Sequence, residues 1–352
     1  MYGSYDRRLP RAARARRIAS VAAVGATLLL AGCSSSSDDN SGGGSGGGSA
    51  IGQRPKSESP YWVNPSGSAA KQVSAYERDG RSGDAKLIKK IASRPVADWI
   101  TRPEPRAEVE RLTKSADKAD RSALLVLYNL PHRDCGQYSQ GGAKSADTYR
   151  AWLDNIVKGI GDRSATVVVE PDAIPHLLAE GCTPQEFHEE RYQLLNEAVS
   201  KLKQLPGTKV YLDGGNPDWV RDPGGLVEPL NRAGIAKADG FALNVSNYQT
   251  TASNRAYGNK VSPMVGNKPF VIDTSRNGNG PVEGTGDEQT WCNPPGRALG
   301  ETPTTKTGDK RVDAYLWIKR PGESDGECKG GPKAGQWWPK YALGLARNAE
   351  RY

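Results

Sequence analysis

A chain of 352 residues is long enough for one large domain or two smaller ones, and 36% hydrophobic content with eight tryptophans supports a packed core. The formal charge of +8 falls to +3 once residues 1–17, with six arginines against one aspartate, are set aside. A domain of that balance, with no nucleic-acid-binding motif, speaks against a nucleic-acid partner.

The arginines are followed by an apolar run over residues 18–31, too short to span a bilayer and suited to the core of a signal peptide. It closes on Leu30-Ala-Gly-Cys33, which looks like a bacterial lipobox. Residues 1–32 are therefore expected to be a lipoprotein signal peptide. Cys33 becomes the lipidated N-terminus, holding the protein on the outer face of the cytoplasmic membrane unless it is secreted free. Residues 34–49 are Ser, Gly, Asp and Asn with no apolar content, so 33–58 reads as a lipidated cysteine and flexible tether. The remainder, 59–352, reads as a catalytic domain, expected to be monomeric.

Within it, helical spacing predicts a helix over 84–92, and 96–100 reads as a short strand. A charged helix runs from Val109, and 123–128 is an apolar strand. A helix over 146–160, a strand over 166–170 and a helix over 186–205 follow. Further strands are expected at 209–213, 240–244, 269–273 and 313–318. Strands apolar on both faces and separated by helices or long connections imply a parallel sheet. A closed barrel and an open doubly wound sheet fit this pattern equally. The lack of a GxGxxG after the first strand counts against dinucleotide binding.

In a barrel, function gathers at the C-terminal ends of the strands. Asp134, Asp172, Asp213, Asn244, Asn247, Asp273 and the Glu323/Asp325 pair all lie at or just beyond such ends. Carboxylates brought together there suit acid-catalysed hydrolysis, because one group raises another's pKa. His132, His176 and His188 are scattered, and no GxSxG elbow is present for serine catalysis. Cys135, Cys182, Cys292 and Cys328 are an even number in an exported chain and suggest two disulfides, with three pairings open. Without a CxxC they do not suggest zinc, and neither metal nor cofactor is expected.

Seven segments carry a resemblance: 128–135, Val169-Glu-Pro-Asp172, 211–215, 244–248, 272–280, 291–297 and 317–326. In this order and spacing the chain resembles glycoside hydrolase family 6, the inverting β-1,4-glucanases and cellobiohydrolases, and most of all its secreted bacterial endoglucanases. The resemblance implies a distorted, incomplete parallel (β/α) barrel of about seven strands. It implies that Asp172 is the general acid, Asp134 the carboxylate that raises its pKa and holds water, Asp325 the proposed base and Asp213 a tuning carboxylate. Ser139 would help hold the water, and Tyr128 would lie beneath a distorted sugar ring. Asn247, Lys319 and Glu323 would contact glucose units, and Trp99, Trp219 and Trp291 would stack on them. It also favours the pairings Cys135–Cys182 and Cys292–Cys328. The expected partner is a β-1,4-glucan or cello-oligosaccharide.

Two features refine that expectation. Only nine residues separate Gly326 from Gln336, too few for a roofing loop, which favours endo attack over the exo action of a cellobiohydrolase. Relatives usually read Asp-Ala-Gly-His where this chain has Asp213-Gly-Gly-Asn216, which leaves room for a catalytically weak glycan-binding lipoprotein as the alternative.

Overall fold

The computed structural model describes residues 59–282 and 289–349. The signal peptide, Cys33 and the tether lie outside the described residues.

Seven strands form one sheet: β1 Asp98–Ile100, β2 Ala123–Leu127, β3 Ala165–Val169, β4 Thr208–Asp213, β5 Gly240–Leu243, β6 Phe270–Asp273 and β7 Val312–Leu316. Every neighbouring pair is parallel and the strand order follows the sequence. Sequential order has no point of reversal, which rules out the doubly wound sheet and leaves the barrel. The barrel is incomplete. No ladder joins β7 to β1 among the described residues, and the gap is spanned by the Ala97 N–H donating to Trp317 O at 3.0 Å.

The helices are α1 Ser68–Arg78, α2 Ser82–Ala92, α3 Arg106–Lys118, α4 Ala146–Ile160, α5 Pro175–Leu178, α6 His188–Leu202, α7 Val227–Arg232, α8 Thr251–Met264 and α9 Pro339–Asn348. The expected 186–205 helix is shorter because a separate 3₁₀ turn, Gln185–Phe187, precedes α6. Helix α4 begins where the Ser145 side chain accepts from the Thr148 N–H, an N-cap that satisfies one orphan donor.

Period-two alternation divides the strands between two cores. On β2, Ala123, Leu125 and Leu127 face outward to α3, α4 and α6, in a core that includes Leu112, Trp152 and Leu195. Leu124 and Val126 point inward, with Val168, Tyr211, Ala242, Val271 and Leu316 filling the barrel. A third cluster joins α1, α2 and α9 around Trp317, whose indole donates to Glu301 O at 3.0 Å. Trp337 packs here with its indole donating to Gln72 Oε1 at 3.0 Å.

Two disulfides, Cys135–Cys182 and Cys292–Cys328, close loops of 47 and 36 residues. Loops of that length are each worth about 4 kcal/mol in the chain-entropy account. Replacing Cys292 and Cys328 together by serine is therefore expected to lower the urea midpoint clearly, measured against a sham-treated control. An unchanged midpoint would remove the bond from the stability account.

Candidate active site

The first wall of the site is built where β2, β3 and β4 stop. Several non-glycine residues here have left-handed backbone: Asp134 (φ 63°), Glu170 (φ 45°) and Asp172 (φ 71°). Such conformations cost roughly 1–3 kcal/mol each and persist only when their surroundings fix them. The fixing groups are visible. Asp213, the last residue of β4 and buried, accepts the Asp172 N–H at 2.7 Å and the Gly215 N–H at 3.1 Å. Glu170 Oε2 accepts the Asn129 and Leu130 N–H groups at 2.8 and 2.9 Å, tying the end of β3 to the loop that leads to Asp134. Arg191, buried on α6, donates to His132 O at 2.8 Å and Ala173 O at 3.2 Å, so one guanidinium pins backbone next to both aspartates. The Tyr128 hydroxyl lies 3.5 Å from Asp172 Oδ2, and Asp134 accepts the Ser139 N–H.

Three carboxyls share this wall, and the environment separates their protonation. Burial pushes the Asp172 carboxyl well above the usual range, and the charges of Asp213 and Asp134 push it further. Burial raises Asp213 to about 6, although backbone N–H groups of Asp172 and Gly215 hold it down, and burial raises Asp134. Asp172 is thus pushed up by burial and by two acidic neighbours, the arrangement a proton donor needs.

The opposite wall carries Asp325. Burial acts to raise its carboxyl, but Arg276 and Lys319 outweigh burial and hold it at about 2. Arg276 is fully buried on the segment after β6 and reaches both Asp325 oxygens at 3.0 and 2.8 Å; Lys319 Nζ lies 3.1 Å away. The Tyr248 hydroxyl and the Asn293 N–H complete the shell at 3.1 and 3.0 Å. A carboxylate so neutralised is ionised at any working pH and is a weak proton acceptor. Asp273 is structural in its geometry. Its two oxygens accept backbone N–H groups of Ser246, Ser275, Ile318 and Lys319, knitting together the ends of β5, β6 and β7.

Between the walls lies a cleft of about 620 Å³. Asp134, Asp172 and Asp325 open onto it, as do Tyr128, Ser139, Asn247 and Lys319. Trp99, Trp219 and Trp291 line it too. The Trp99 indole is fixed by donation to Ile318 O at 2.8 Å and by the edge of Tyr128. Two expected residues lie elsewhere. Asp213 sits beneath the cleft, behind Asp172. Glu323 is buried in a smaller cavity beside Asp98 and Trp337, held by Arg320 at 2.9 Å.

Arg276, Glu170, Arg191 and Tyr138 were not singled out from the sequence. The Tyr138 ring crosses to the Asp325 wall so closely that a Cβ at Gly326 would come within 2.3 Å of its Cγ. It also lies 6.2 Å from the Trp291 ring. The segment after Asp325 turns back on itself, with the Ser324 N–H on Gln336 O and the Gly335 N–H on Ser324 O, both at 2.9 Å. It therefore builds no roof over the cleft. Cys135, His176 and Cys182 come within 4.8 Å of one another, but both sulfurs belong to the disulfide, so the thiolates a metal would need are gone.

A half-barrel with aspartates of split protonation facing an aromatic cleft belongs to the class of acid–base hydrolase folds. Residues 56–349 match the glycosyl hydrolases family 6, and the chain belongs to that family. It is 45% identical over 272 residues to endoglucanase A of Cellulomonas fimi, covering 76% of this chain and 57% of that protein. It is 41% identical over 298 residues to endoglucanase A of Thermobispora bispora, covering 83% and 63%. The chain thus spans less than two thirds of the length of these two curated relatives. Among solved structures, the endoglucanase Cel6 from Mycobacterium tuberculosis, in complex with a methyl-cellobiosyl-thio-cellobioside, superimposes with a TM-score of 0.77 at 39% identity, covering 82% of this chain and 97% of that one.

Proposed function

We propose that this protein is an inverting endo-β-1,4-glucanase. The observation that carries the reading is the contrast across the cleft: burial and the charges of Asp213 and Asp134 push the Asp172 carboxyl well up, whereas Arg276 and Lys319 hold Asp325 down at about 2. Asp172 protonates the leaving glycosidic oxygen. Asp134, with the Ser139 segment folded onto it, helps hold the water that attacks the sugar. Asp325, a weak base, takes up the water's proton through intervening water. Separate donor and acceptor on the two faces of a sugar ring give inversion.

Endo attack is supported by the segment after Asp325, which folds back instead of covering the cleft. Similarity to endoglucanases of other bacteria points the same way. No helix among the described residues is long and apolar enough to cross a membrane. An extracytoplasmic site, with Cys33 lipidated and 34–58 as the tether, rests on the leader sequence, and detergent-phase partition of the mature protein tests it.

The deciding experiment follows carboxymethylcellulose viscosity, reducing ends and product anomer together. Endo inversion gives a rapid viscosity fall per bond cleaved and α-anomeric products. A β-anomer removes inversion, and a viscosity fall proportional to the reducing ends released removes the endo reading.

A further inference from the structure

The backbone after β4 is unusually constrained, and Asn216 is the reason its last turn has one shape. Gly214 N–H donates to Ala242 O at 2.8 Å, and Asn244 N–H donates to Gly215 O at 2.7 Å, which ties this segment to β5. Gly215 has φ 70°, and a Cβ there would lie 2.9 Å from the Pro175 ring. The chain then enters a short turn whose amides point inward. Asn216, only 2% exposed, takes two of them: its Oδ1 accepts the Asp218 N–H and the Trp219 N–H, both at 3.1 Å. Its carbonyl accepts the Val220 N–H at 3.0 Å. An asparagine oxygen that accepts the amides two and three residues on is the side-chain form of a turn closure.

The residue this turn presents is Trp219. Its indole is 38% exposed and lines the cleft, resting edge-on against His176 with 5.1 Å between ring centres. The edge contact with His176 supports the indole from one side but allows sliding along the ring. The backbone under Trp219 sets the indole's place, and Asn216 holds that backbone.

We propose that Asn216 is a positioning residue that fixes Trp219 as a stacking platform for one glucosyl unit of the substrate. The proposal rests on the glucan reading above. It also gives the departure at this position a physical content. Asparagine offers one oxygen to two amides and carries no titrating proton, so the platform keeps its place at every working pH. A histidine at 216 has one ring nitrogen for the task and loses that acceptor when protonated.

The test is a double-mutant cycle read as cellohexaose affinity by calorimetry, in an Asp172→Ala background so that the ligand survives. Asn216→Ala is expected to weaken binding about tenfold with Trp219 present, and less than about twofold once Trp219→Ala has removed the platform. Asn216→Asp keeps the accepting oxygen and is expected to stay within about threefold of the parent. Equal weakening with and without Trp219 would overturn the proposal, because Asn216 would then act on the sugar itself. Asn216→Ala binding as well as the parent would overturn it too, and so would Asn216→Asp behaving like alanine. The glucanase reading is judged separately by hydrolysis with the native chain. A native chain that binds cellohexaose without cleaving it sinks that reading and leaves the cycle readable, whereas no binding at all defeats both.

Discussion

Asp172→Ala is expected to lower kcat on carboxymethylcellulose by about 10³-fold while leaving cello-oligosaccharide affinity within about threefold. A sugar hydroxyl is a poor leaving group unless it is protonated as the bond breaks, and burial together with the charges of Asp213 and Asp134 pushes the Asp172 carboxyl well above the usual range. The decisive control is an aryl cellotrioside with a strongly acidic phenol. That leaving group needs no proton, so the variant should recover most of the parent's rate on it. If the variant is equally slow on both substrates, Asp172 is structural and the donor assignment is wrong. The pH profile gives a second reading. The alkaline limb of kcat/KM reports loss of the Asp172 proton, and Asp134 contributes to keeping it through like-charge repulsion. Asp134→Asn removes that charge, so the limb should move to lower pH, by up to about one unit. A shift to higher pH would contradict the electrostatic account.

The strand pattern was readable because a strand buried on both faces has little choice but Val, Leu, Ile and Ala, as in Val167-Val-Val169. The sequential strand order was not readable from these runs, since apolar residues do not record which strand lies beside which. Helix α8 gave almost no signal. It buries Asn254 and Ser262 against the core, carries Pro263 near its end, and has Gly258 because the Phe270 ring lies where a Cβ would go, 2.4 Å away. Close packing of that kind replaces the apolar stripe that periodicity needs. The aspartates stood out because each sits in a short motif at a strand end. Their supports did not. Arg276 lies 49 residues from Asp325, and a lone arginine in a polar loop reads as solvated until the fold buries it. Glu323 shows the converse. Asp325, two residues on, faces the cleft, but the turn at 320–323, closed by the Glu323 N–H on Arg320 O at 3.1 Å, sends Glu323 the other way, to the Arg320 guanidinium. Two residues along a loop are enough to change side, and only the fold decides which.

The second large effect concerns the far wall. Asp325→Ala leaves the fully buried Arg276 without its carboxylate. Breaking a buried pair from one side costs about 3–5 kcal/mol, because the remaining charge is neither solvated nor neutralised. A fall in Tm on the order of 10 °C is expected. Adding Arg276→Met should restore part of the loss by removing the stranded charge, whereas independent roles would make the two changes additive. The wild-type pH dependence follows from the same pair. Asp325 titrates at about 2 in the folded chain against 3.8 otherwise, a depressed value. Its contribution of about 2 kcal/mol is present above pH 4 and is lost as pH falls toward 2. Asp134, Asp172 and Asp213 are raised instead, so their contribution is full below about pH 4 and declines as pH rises, through about 6 for Asp213. The two trends place maximum stability in mild acid. In Asp325→Asn the acid-side loss between pH 4 and 2 should shrink while the decline above pH 4 remains. Urea midpoints measured across that range for both proteins decide the matter. An acid limb that persists unchanged in the variant would mean that some other carboxylate carries it, and that the Arg276 pair is not what neutralises the far wall.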